Sequence, residues 1–110
     1  MVRGTTPTFD FELDNLDMIH DIEITFSQNQ NTGTPPIQKE LSMGQIEMHK
    51  EDGFVRCTLT QDDTFSFSVG QVRIQMRVIS SNGNVAASDI VRIKVEESLS
   101  EDRLKTTGGN

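Results

Sequence analysis

Tryptophan and tyrosine are both missing from this 110-residue chain, so six phenylalanines and five methionines must supply most of the bulk of its core. The usual stacking platforms for sugars and bases are missing with them. Cys57 is the single cysteine, which excludes an intramolecular disulfide. The two histidines, His20 and His49, form no recognisable motif with it. A zinc site wants four N or S ligands at characteristic spacings, and a nucleophilic thiol wants a nearby base. No Gly-rich phosphate loop, Gly-x-Ser-x-Gly or Asp-x-Asp-x-Asp-Gly occurs. No run approaches the ~20 apolar residues of a membrane span, and the polar start of the chain lacks the apolar stretch of a secretory signal. Basic residues are also scarce: 10 Lys and Arg face 17 Asp and Glu, for a net charge of −7. Affinity for nucleic acid comes from cations that displace counterions, so binding by bulk electrostatics is excluded. The expectation is a soluble protein made in a reducing cytoplasm. It uses no cofactor or metal, engages neither nucleic acid nor membrane, and is not an enzyme.

What the chain does have is alternation. Val72, Ile74, Met76 and Val78 point one way, and Arg73, Gln75 and Arg77 the other. After Ser80-Ser81-Asn82-Gly83-Asn84, Val91, Ile93 and Val95 alternate with Arg92 and Lys94. Period-two patterning around an Asn-Gly turn is a strong hairpin signal. Arg73, Arg77, Arg92 and Lys94 then share a solvent face, a basic stripe best read as the wet side of a half-buried sheet.

Other segments repeat the pattern. Phe9, Phe11 and Leu13 alternate with acids, and Ile22, Ile24 and Phe26 form a second apolar face. Weaker strands are expected over Ile37 to Leu41 and Gln45 to His49, and a firm one over Phe54 to Thr60. On that strand Val55, Cys57 and Leu59 face one way, which makes Cys57 a small core side chain. Phe54 falls out of phase, as an exposed contact or a cover for a neighbouring loop. Thr60 to Thr64 reads as a capped helical turn, after which Phe65, Phe67 and Val69 resume the alternation. Near the end, Ser98-Leu99-Ser100-Glu101 has the spacing of a capping box and predicts a short helix.

Seven or so short strands with turn signals between them predict an all-β, immunoglobulin-like antiparallel β-sandwich with a short C-terminal helix. A small β-barrel is the alternative. The domain is expected over residues 8–96, after a polar arm at 1–7 and before a short helix and flexible tail at 97–110. The acidic pairs Asp62-Asp63, Glu96-Glu97 and Glu101-Asp102, with Asp14, Asp17 and Asp21, read as solvated turns and helix starts. The amide-rich stretch Gln28 to Pro36 is the clearest loop. Its residues Gln28, Asn29 and Gln30 are candidates for contact with sugar hydroxyls, which would suit a carbohydrate- or surface-binding module.

Several segments carry a further signal: Arg3-Gly4-Thr5-Thr6-Pro7-Thr8, Ile24-Thr25-Phe26-Ser27-Gln28, Leu59-Thr60-Gln61-Asp62-Asp63-Thr64, Gly70 to Val78, Ala87-Ser88-Asp89-Ile90 and Val95. Together they resemble small structural proteins of tailed phages and prophages of Gram-positive gut bacteria. They are also similar to the N-terminal β-sandwich module of baseplate upper proteins. The resemblance covers residues 3 to 99; the loop at Asn29 to Pro36 is longer than usual, and the tail after Leu104 ends in Thr-Thr-Gly-Gly-Asn. It implies a virion structural or assembly component in tail, baseplate or head, made in the host cytoplasm. Its partners would be other phage structural proteins or copies of itself. Under that reading the extended arm Arg3, Gly4, Thr5, Thr6, Pro7 and Thr8 is the candidate subunit contact, by strand addition to a neighbour.

Overall fold

A computed structural model describes residues 1–28, 35–100, 102 and 104. Among them eight strands form two antiparallel sheets, joined by short turns and one short helix. The longest strand, β6 (Gly70–Ser80), is the spine of the larger sheet. Its buried positions Val72, Ile74 and Met76 alternate with exposed or half-buried polar ones, as its sequence requires. β2 (Ile19–Ser27) pairs with it along almost its full length, with Ile24 opposite Met76 and Phe26 opposite Ile74. β3 (Ile37–Glu40) covers the far edge of β2. The smaller sheet is β1 (Thr8–Glu12), β5 (Phe54–Thr58) and β4 (Ile46–His49), with β5 in the centre.

The two sheets meet in one apolar layer. Val55 and Cys57 from β5 join Ile22, Ile24 and Phe26 from β2 and Val72, Ile74 and Met76 from β6. Phe9 tilts onto Phe26 at 5.5 Å between ring centroids. Phe26 and Phe67 are essentially sealed from solvent, and burying a phenylalanine fully stabilises the fold by roughly 1.5–3 kcal/mol. With no Trp or Tyr to share that load, these rings are where the core is most sensitive.

The chain passes from the small sheet to the large one through α1 (Gln61–Phe65). The expected cap is present in full: Thr60 Oγ1 accepts the Asp63 amide and Asp63 Oδ2 accepts the Thr60 amide. That helix corrects one expectation, because Phe65 belongs to it and only Phe67 enters the core. Val69 is about half exposed and precedes the next strand.

The final hairpin is also less regular than its alternation. Instead of one return strand there are two, β7 (Val85–Ala87) and β8 (Val91–Val95), both paired with β6. Ser88 divides them. Its amide donates to the Met76 carbonyl, but its hydroxyl, not its carbonyl, accepts the Met76 amide. The chain bends there, and Ile90 and Val91 emerge to solvent. The expected C-terminal helix is not seen among the described residues: Ser98, Leu99, Ser100, Asp102 and Leu104 are not helical. Leu99 is fully exposed, and the rest of the expected helix and tail lies largely outside the described residues.

Candidate functional site

The N-terminal arm is bound to its own domain. Val2 pairs in parallel with Glu96 just beyond β8, and the Arg3 amide donates to the Glu96 carbonyl at 3.0 Å. The Arg3 guanidinium donates to the Phe65 carbonyl at 2.8 Å and lies 5.8 Å from the centre of that ring. Thr64, wholly buried in α1, is the hinge of the contact: its hydroxyl accepts the Gly4 amide at 2.9 Å and donates to the Thr5 carbonyl at 2.8 Å. The Pro7 carbonyl accepts the Leu59 amide, and the Thr8 hydroxyl meets that of Thr58. Thr6 is exposed. Gly4 is required here for two reasons. Its φ of +80° lies in the left-handed region, and a Cβ would come within 2.4 Å of the Phe65 ring. As the molecule stands, the arm closes the corner between the two sheets instead of reaching outward.

Gln28 is spoken for in the same way. Its side chain is buried, donating to the Ser68 carbonyl at 2.7 Å and accepting the Ser68 amide at 2.9 Å. It fastens the end of β2 to the segment before β6 and offers nothing to a sugar. Asn29 and Gln30 lie outside the described residues.

The outer faces of the two sheets differ. On the small sheet, Asp10 sits directly opposite Arg56 and takes two bonds from it, at 2.8 and 3.1 Å. Those bonds hold the Asp10 carboxyl below its usual range. Arg56 also lies 5.2 Å from the centre of the Phe54 ring, and His49 stacks on that ring at 4.5 Å. Phe54 is thus half-buried, with His49 and Arg56 against its ring on its own sheet face. On the large sheet, Arg77 bonds Glu23 at 3.1 Å and Gln75 donates to the Ser88 carbonyl. Arg73, however, stands directly opposite Arg92, and Lys94 lies two positions further along the same strand face. Among the described residues none of these three has an ion-pair partner. Arg73 lines a shallow groove of about 260 Å³ together with Glu23, Thr25, Ser27, Gln75, Arg77 and Ile90.

Cys57 is buried, and burial pushes its thiol up to about 11, far from thiolate at neutral pH. Lys39 points inward from β3 to bond Asp63 at 2.9 Å, so that pair ties α1 to the sheet edge. Burial raises the Asp63 carboxyl, but the bonds from Thr60 and Lys39 together outweigh it, and the net shift is downward. Among the described residues no three His, Cys, Asp or Glu side chains gather as metal ligands, and no helix is long and apolar enough to cross a membrane. No protein-family model matches this chain, and no curated protein or solved structure does either. The sequence did place the residues of the arginine face on one side of the hairpin; that they oppose one another is information held in the register.

Proposed function

We propose that this chain is a non-enzymatic structural module that acts through protein–protein contacts, as a component of a tailed-phage particle made in the host cytoplasm. The segments spread over residues 3 to 99 that resemble phage structural proteins support the setting. The observation that carries the contact role is the exposed Arg73–Arg92 opposition on a broad sheet face, a surface whose charge its own fold leaves unanswered. The strand order supports the finer reading of an immunoglobulin-like sandwich. β1-β5-β4 corresponds to strands B, E and D of that fold, and β3-β2-β6 with the β7–β8 edge to C′, C, F and G. The carbohydrate-binding alternative is weakened, because Gln28 is consumed internally.

Particles purified from a lysogen that encodes the chain test the proposal. Quantitative mass spectrometry together with immunogold labelling should find it at fixed stoichiometry and one location. Intact particles that lack it would defeat the reading.

A further inference from the structure

We infer that the arginine face of one copy binds the acidic end of a second copy, so that chains associate head to tail. This rests on the reading of the chain as a protein–protein contact module. Like charges directly opposite on neighbouring strands repel. Arg73 and Arg92 are held in that arrangement by a ladder running from Gly70–Val95 to Ile74–Val91. On the same face Glu23 already serves Arg77, and Glu96 follows Lys94 just beyond β8. An incoming carboxylate relieves the repulsion that the fold itself maintains.

The chain carries its own complement. Although the net charge is −7, these cations are unpaired among the described residues, and one group of acids lies at the other end of the sandwich. There the Leu13 amide donates to the Gly53 carbonyl, joining the loop after β1 to the β4–β5 turn. Glu12, Asp14 and Asp52 line the concavity between them, and Asp17 beside it is engaged by Lys50 at 3.5 Å, so the first three are the acids on offer. Register separates the two patches. Arg73 lies opposite Ser27 at the end of β2, whereas Asp17 precedes Ile19 at its start. Eight strand steps place them roughly 26 Å apart. Two different patches at opposite ends make a heterologous contact, which closes into a ring or propagates as a filament. A polyanion such as nucleic acid fits the same arginines but must approach against the overall negative charge.

Light scattering of the full chain over a range of concentrations is the test, in about 10 mM and about 1 M salt, where the screening length falls from about 30 Å to about 3 Å. At low salt the weight-average mass should reach at least two chains, and at high salt it should return to one. Arg73→Glu with Arg92→Glu keeps the cross-strand repulsion but reverses its sign, and should be monomeric at low salt. Asp14→Lys with Asp52→Lys should be monomeric too. An equal mixture of the two double variants should re-associate, because each supplies the charge the other reversed. Circular dichroism and urea midpoints confirm that both variants fold. A wild-type chain that stays monomeric at low salt overturns the inference, as does association that survives high salt or fails to return on mixing. Monomeric wild type that binds an oligonucleotide through Arg73 and Arg92 overturns it in favour of a polyanion partner. A monomer still found in purified particles would remove this inference and leave the proposed function standing.

Discussion

The corner closed by the N-terminal arm and the outer face of the large sheet are both polar, and both are rich in groups that suit a partner. They end in opposite states. At the corner Arg3, Gly4, Thr5 and Pro7 all spend hydrogen-bonding groups on α1 or on the residue after β5. On the sheet face, Arg73 meets Arg92 and the fold supplies no counter-charge among the described residues. Composition does not separate these cases; the identity of the opposing residue does. A polar group is available to a partner only when its own fold has not already engaged it.

Breaking the closed corner has the largest expected effect. Gly4→Val forces a β-branched residue into a left-handed conformation and drives its Cβ onto the Phe65 ring. The two penalties together should lower stability by about 3 kcal/mol, read as a shift in the urea midpoint. An unchanged midpoint would mean that the arm is not seated as described. Gln28→Ala sharpens the same point at Ser68, three residues beyond α1. It strands the Ser68 amide and carbonyl and should cost about 2 kcal/mol. A surface glycan contact would instead lose binding and keep its stability.

These contrasts also mark how far the sequence could be read. Ile22, Ile24 and Phe26, and Val72, Ile74 and Met76, announce their strands because a half-buried sheet imposes period two on side chains. Thr60 and Asp63 announce α1 because their spacing is the cap itself. Phe65, Phe67 and Val69 mislead because the same spacing suits a strand, and the cap five residues before Phe65 overrides it. Ser88 leaves no local signal, since its hydroxyl, in place of its own carbonyl, accepts an amide on a strand twelve residues earlier. The arm's contacts within its own domain leave no local signal for a similar reason: their partners, Thr64, Phe65 and Glu96, lie about sixty or more residues away in the chain. The basic stripe was legible as a face, but whether its charges are answered depends on register alone.

The Lys39–Asp63 pair gives a pH test between these extremes. Asp63 is held below its ordinary value of 3.8. Its contribution is therefore complete above that value and is lost as pH falls through the lowered one. Asp63→Asn should cost about 1 kcal/mol at neutral pH, the usual worth of a cap. The difference from wild type should shrink to nothing in strong acid. Asp10 and Asp21 are shifted in the same direction, so the variant will still lose stability in acid, only less steeply. A gap that stays constant down to low pH would mean that the carboxylate charge plays no part in the cap.

The smallest effect divides the two sheet faces most cleanly. Arg56→Gln and Arg92→Gln remove the same charge from equivalent outward positions, one on each sheet. The first breaks a two-bond contact with Asp10 and leaves that carboxylate unanswered, so stability should fall. The second removes one half of a like-charge opposition, so stability should rise by about 0.5 kcal/mol. That gain should fade in concentrated salt, because exposed charges repel only as far as the screening length allows. It should be measured on dilute, monomeric protein, since a partner's carboxylates at the same site would mask it. If both substitutions destabilise alike, Arg73 and Arg92 are already neutralised within the chain and their face is as closed as the other. If the signs differ, the large sheet bears a charge that its own fold leaves unanswered, as a face built for an acidic partner should.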